Sequence, residues 1–119
     1  MEECLFCKIA NHEVPTETIV YEDDYVMAFN DLYPDAPVHV LVVPKIHIAN
    51  YEEITEENEE YLIKIMRAIK EVARITGIDK DGYRIVNNCK EFGGQVINHL
   101  HFHVLGGAKL PVKMKWDEE

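Results

Sequence analysis

His99-Leu100-His101-Phe102-His103-Val104-Leu105 alternates imidazole with apolar side chains without a break. Successive residues of an extended strand point to opposite faces. The run therefore reads as a strand with three imidazoles about 6.6 Å apart on one face and Leu100, Phe102 and Val104 in the core. A solvated strand can use one His for its polar face. Three in register, out of six in the chain, point to chemistry, because imidazole is the side chain best suited to titrate near neutral pH. Just upstream, the glycines of Gly93-Gly94-Gln95 let backbone N–H groups approach an anion closely, as in a nest. Together the two features supply the halves of a phosphoryl-transfer site: a nucleophile, and donors for the charge that develops on the non-bridging oxygens.

Working outward, β-branched and aromatic runs at residues 18–21 and 25–30 flank Glu22-Asp23-Asp24 and predict a hairpin. Residues 31–37 have loop chemistry, with two prolines and two aspartates. Residues 39–43 are apolar on nearly both faces and read as a central strand covered on each side, ended by Pro44. Residues 55–76 place Leu62, Ile65, Met66, Ile69, Val72 and Ala73 on one helical stripe. Thr55 is the expected N-cap, Glu56, Glu57, Glu59 and Glu60 suit the positive end of the dipole, and Gly77 suits the stop. Asp81-Gly82 turns the chain into a strand at 83–88, and residues 4–9 predict one or two helical turns before Pro15. The fold class is α+β: a five-stranded, mostly antiparallel sheet with one long and one short helix. The tail after Gly107 is either disordered or draped over a partner through Trp116.

A length of 119 residues suits one domain able to bury a core without disulfides. A net charge of −10 has the wrong sign for a general nucleic-acid binder, and 47% hydrophobic residues suit a folded globule. No apolar run approaches the roughly 20 residues of a membrane span, and Met1-Glu2-Glu3-Cys4 lacks a basic segment followed by an apolar one. The expectation is a cytoplasmic protein with no membrane partner. Cys4 and Cys7 are too close to close a useful disulfide loop. Cys4-x-x-Cys7 has metal-ligand spacing, although two small apolar residues near a terminus would look the same. Cys89 reads as a loop thiol, His12 as a solvated loop residue, and the acidic run 52–60 as a solvated helix start.

The chain resembles the histidine triad (HIT) family of nucleotide hydrolases and transferases, whose signature is His-x-His-x-His-x-x with x hydrophobic. The resemblance extends to Phe6-Cys7-Lys8-Ile9, Ala28-Phe29-Asn30-Asp31, Pro34-x-Ala36-Pro37-x-His39, Val43-Pro44-Lys45-x-His47-Ile48, Gly82-Tyr83-Arg84, Asn88 and Gly93-Gly94-Gln95. His103-Val104-Leu105-Gly106-Gly107 resembles the Hint branch rather than the Fhit branch, and the third His separates the chain from the galactose-1-phosphate uridylyltransferase branch.

The resemblance implies one HIT domain over residues 1–119, with a tail at 108–119 that is flexible or lies at a homodimer interface. It implies a hydrolase of the purine nucleoside phosphoramidase type, which cleaves a nucleoside phosphoramidate or monophosphate ester through a nucleotidyl-histidine intermediate and releases a monophosphate such as AMP. His101 is then the nucleophile. His103, backed by His99, binds phosphoryl oxygens and handles protons, and His39 completes the cluster. Asp31 binds the ribose, Phe29 and Leu32 pack on base or sugar, and Asn88, Gly94 and Gln95 hold the phosphate side. Cys4 and Cys7 are joined by His47 and His99 in a structural zinc site, one per chain, and no catalytic cofactor is implied. Adenosine is the favoured nucleoside. The alternatives are a dinucleoside polyphosphate hydrolase, or a zinc-stabilised nucleotide-binding regulatory protein with little turnover. One position departs from the pattern: phosphoramidases of this branch carry Ser three residues before the first triad His, where this chain has Val96. Only the backbone N–H of Val96 is left to meet the nucleotide, and the preference for a leaving group is open.

Overall fold

The computed structural model describes residues 4–14 and 18–114. In chain order the elements are α1 (Leu5–Ala10), β1 (Ile19–Glu22), β2 (Val26–Asn30), β3 (Val38–Pro44), α2 (Glu59–Thr76), β4 (Tyr83–Val86) and β5 (Phe102–Gly106), with single 3₁₀ turns at Tyr51–Glu53 and Glu91–Gly93. The strands lie in the order β1-β2-β3-β5-β4, every neighbouring pair antiparallel. β3 is central and buried from His39 to Pro44, as two apolar faces require. The β1–β2 hairpin is closed by Asp23, whose Oδ1 accepts the N–H groups of Tyr25 and Val26, both at 2.8 Å. This is a side-chain mimic of a backbone turn.

The period-2 alternation sorts the sheet into two faces. Val26, Ala28, Val40, Val42, Leu100, Phe102 and Val104 pack with Ile65, Ala68, Ile69, Val72 and Ala73 of α2. Met27, Phe29, Leu41 and Val43 point the other way, onto Cys4, Phe6, Ile9 and Ala10 in and beside α1. His101 and His103, in alternation with Phe102 and Val104, belong to this second face, and the site forms there.

Three boundaries differ from the sequence reading by more than one residue. The long helix starts at Glu59, not Thr55, and its N-cap is Asn58. Asn58 Oδ1 accepts the Thr55 N–H at 2.7 Å and Thr55 Oγ1 accepts the Glu57 N–H at 3.2 Å, so residues 55–58 close a separate turn. Met66, 59% exposed, leaves the buried stripe and Ala68 takes its place. The last strand starts at Phe102, because the N–H of His99 donates to Ile97 O and that of Leu100 to Ile48 O, outside the ladder. β4 likewise ends at Val86. Gly77 ends α2 at φ 82° as expected, its N–H on Arg74 O. After β5 the chain passes Arg84, whose guanidinium donates to Pro111 O. Trp116 lies outside the described residues. No helix among the described residues is long and apolar enough to cross a membrane.

Candidate active site

On the face opposite α2 lies a cavity of about 1110 Å³. Of the residues proposed to bind nucleotide, Phe29, Asp31, Leu32, Asn88, Gly94, Val96, His101 and His103 line it, and Gln95 does not. Phe6 and Ile9 also line it while remaining buried. Each is therefore both core and wall.

Backbone groups dictate the tautomer of each histidine in the cluster. A carbonyl can only accept, so His101 Nδ1, 2.7 Å from His99 O, carries the proton, and Nε2 keeps its lone pair. Burial holds the His101 pKa below the usual imidazole value, so the ring is neutral and nucleophilic. Asn87 Nδ2 donates to His101 O at 2.9 Å, and Phe6 meets the ring edge-on with centroids 5.1 Å apart.

His103 is set indirectly. The Asp35 N–H donates to His39 Nδ1 at 3.0 Å, which puts the His39 proton on Nε2. That nitrogen lies 2.9 Å from His103 Nδ1, so His103 carries its own proton on Nε2 and offers the cavity a donor. Burial first, then the neighbouring His101 and His39, push the His103 pKa down to about 4. Asp31 Oδ2 sits 3.5 Å from His39 Nε2, and its Oδ1 accepts the Tyr33 N–H at 2.8 Å.

His99 stays on the same face as His101 and meets the cysteines, as the resemblance implies. Its Nε2–H donates to Pro44 O at 3.0 Å, and its Nδ1 lone pair faces Cys4 Sγ at 3.3 Å and Cys7 Sγ at 3.4 Å. His47 Nδ1 lies 3.2 Å from Cys7 Sγ, and all four donor atoms fall within 4.8 Å of one another. Thiolate and imidazole donors around a tetrahedral ion at zinc-like bond lengths stand about 3.6 Å apart. The set could thus hold a metal ion, with Pro44 O as the outer partner that orients the His99 ligand atom. Burial and the facing Cys4 push the Cys7 thiol up to about 11, a repulsion that a dication at the centre reverses. The three triad imidazoles thus do not share one role: His101 and His103 face each other with ring centroids 5.2 Å apart, and His99 turns to the cysteines.

The glycine loop also differs from the nest expected of it. The N–H groups of Gly93 and Gln95 donate to Lys90 O and that of Gly94 to Glu91 O, so none is free for an anion. The Gln95 side chain is engaged as well, accepting from Lys90 N at 2.8 Å and donating to Ala49 O at 2.8 Å and Ile97 O at 2.9 Å. The next two N–H groups, of Val96 and Ile97, have no protein acceptor among the described residues, and both residues line the cavity. Asn87 and Asp35 were missed by sequence reasoning. Their contributions pass through a backbone carbonyl and a backbone N–H, and an amide at a strand end or an Asp in a Pro-rich loop signals neither.

The HIT domain family model matches residues 12–110. The purine nucleoside phosphoramidase of Escherichia coli (strain K12) is 41% identical over 109 residues, covering 92% of this chain and 91% of that protein. Among solved structures, a HIT family hydrolase from Clostridium thermocellum superposes with TM-score 0.91 at 49% identity, covering 97% of this chain and 99% of that one. A histidine triad protein from Clostridium difficile gives TM-score 0.89 at 48% identity, covering 96% and 100%. With its histidines held by backbone groups on the open face of such a sheet, and with likeness of this extent, the chain belongs to the histidine triad family and is one of its hydrolases.

Proposed function

We propose that the protein hydrolyses a nucleoside 5′-monophosphate joined to an amine or acyl group, through a nucleotidyl intermediate on His101. The observation that carries this reading is the His101 Nδ1–H bond to His99 O, which leaves Nε2 as a neutral nucleophile at the cavity wall. Nε2 attacks the α-phosphorus and the bond to the leaving group breaks. An amine departs with its electron pair and a proton taken up from solvent, whereas an acyl group departs as the carboxylate and needs none. Water then adds hydroxyl to phosphorus, its other proton goes to solvent, replacing the one an amine consumed, and His101 returns neutral. The cationic ring of the intermediate keeps its Nδ1–H on the His99 carbonyl. His103 Nε2–H, with the Val96 and Ile97 N–H groups, meets the charge on the phosphoryl oxygens. Asp31 takes the ribose hydroxyls, Phe29 and Leu32 the base and sugar, and Asn88 the phosphate side, where Gly94 is part of the wall beside it. His39 acts through His103.

Adenosine is favoured by the likeness to a purine nucleoside phosphoramidase. No Lys or Arg among the described residues lines the cavity, whose carboxylate is Asp31, and this favours an amine or acyl leaving group over a polyphosphate. Cys4, Cys7, His47 and His99 would hold one structural zinc. Four protein ligands leave no open position, and the ion would pin α1 behind the nucleophile. A cytoplasmic setting keeps both thiols reduced. Exposed Ile63 and Met66 on α2, with Ile85 on the edge strand β4, support a homodimer, for which light scattering at micromolar concentration reads twice the chain mass.

The test is AMP release from adenosine 5′-phosphoramidate. His101→Ala is expected to lower turnover by several orders of magnitude while leaving AMP affinity largely intact. Turnover within tenfold of wild type would overturn the reading.

A further inference from the structure

Between β4 and β5, Lys90 stands at φ 62°, ψ −177°. For a residue with a side chain this backbone region is nearly confined to glycine, and it persists only where the surroundings over-determine it. Gln95 grips both sides of that strained residue. The Lys90 N–H donates to Gln95 Oε1 at 2.8 Å, and Lys90 O accepts the Gln95 and Gly93 N–H groups, both at 3.1 Å. The carboxamide is itself anchored outside the loop, its Nε2 hydrogens going to Ala49 O and Ile97 O at 2.8 and 2.9 Å. Ala49 lies two residues beyond His47, and Ile97, which lines the cavity, carries one of the two N–H groups that lack a protein acceptor among the described residues. The side chain is thereby fully engaged, and it does not line the cavity.

We infer that Gln95 is a positioning residue rather than a phosphate ligand. It holds Lys90 in the strained conformation, and that conformation fixes the loop in the shape that turns the Val96 and Ile97 N–H groups toward the phosphoryl oxygens. Without the brace, Lys90 relaxes to negative φ, because strain of this kind weights the native conformer down by roughly ten- to a hundredfold. Donors that are no longer preorganised are lost mainly from the transition state, so kcat falls further than KM rises. The kinetic part of this inference rests on the hydrolytic reading above, whereas the conformational part does not.

A double-mutant cycle tests it. Gln95→Ala is expected to lower kcat about ten- to a hundredfold with KM within about threefold, and to lower the thermal midpoint. Lys90→Gly, whose backbone adopts φ 62° without strain, is expected to keep kcat within about twofold. In the Gln95→Ala background it should restore most of the lost kcat and cut the loss of thermal midpoint by at least half. A direct phosphate ligand would not be rescued by a glycine elsewhere, so independent, additive effects of the two substitutions on kcat and midpoint would overturn the inference. If wild type fails to cleave phosphoramidate, the functional reading falls and the thermal cycle alone judges the brace. Should Gln95→Ala not fold, Gln95→Met, which keeps the length of the side chain, enters the same cycle.

Discussion

Phe6 ties the short N-terminal helix to the nucleophile, and shortening it should be felt in stability and rate together. Its ring meets Phe29, His99 and His101 edge-on, with centroids 5.6, 6.0 and 5.1 Å apart, and is 4% exposed. Phe→Ala in an enclosed core costs about 3–5 kcal/mol. Here one side of the void opens into the cavity and water can fill it, which places the loss near the lower end, about 3 kcal/mol. At about 3–4 °C per kcal/mol for a chain of this size, Phe6→Ala should lower the thermal midpoint by about 9–12 °C. The His101 anchor on His99 O survives, so the tautomer is kept and only the wall behind the ring is lost. A fall in kcat/KM of about tenfold, or about 1.4 kcal/mol, is expected. Phe6→Leu, which refills most of the volume, should show under half of each effect. Scanning calorimetry and phosphoramidate turnover read the two arms. A midpoint shift under 3 °C with unchanged kcat/KM would refute the claim that this ring supports the site.

Protein purified without chelator should carry close to one zinc per chain by elemental analysis, and Cys4→Ser with Cys7→Ser should lose it along with thermal stability; a metal-free wild type of equal stability would end that proposal. Val96 is 90% exposed at the cavity, so Val96→Ser should leave stability unchanged. The new hydroxyl should raise kcat/KM for a phosphoramidate relative to an acyl-adenylate by about tenfold, as expected for a hydrogen bond worth roughly 1–1.5 kcal/mol in the transition state; an unchanged ratio would remove residue 96 from the choice of leaving group. Because the His103 pKa is depressed to about 4 from 6.5 on folding, the unfolded chain binds its proton first as pH falls. The stability tied to that neutral ring is therefore present above pH 6.5 and is lost between pH 6.5 and 4. Thermal midpoints measured across that window should fall less steeply in His103→Gln than in wild type.

Side-chain pattern was legible wherever local geometry alone decides. Alternation assigned Leu100, Phe102 and Val104 to the core, the Cys4-x-x-Cys7 spacing marked two metal-ligand candidates, and the family resemblance added His47 and His99 to them. What escaped was decided by backbone groups distant in sequence. The strand begins at Phe102 because Leu100 N–H is taken by Ile48 O, and no local pattern announces that partner. The tautomer of His99, with Nδ1 left to meet the cysteines, is set by Pro44 O, 55 residues away, which takes its Nε2–H. Asn58 displaces Thr55 at the N-cap position without a side-chain cap bond, because its carboxamide is spent closing the preceding turn onto Thr55 N–H and Glu53 O. The glycines of the loop promised free N–H groups, but φ 85° at Gly94 folds the loop onto its own carbonyls and passes the free donors on to Val96 and Ile97.

The central claim is that His101 Nε2 takes the nucleotidyl group. Wild-type protein mixed with adenosine 5′-phosphoramidate for milliseconds, quenched in alkaline denaturant where a phosphorus–imidazole bond survives, and digested for peptide mass spectrometry should carry an adenylyl adduct on His101, absent from His101→Ala. An adduct on His103, or turnover with no adduct on any histidine, would contradict it.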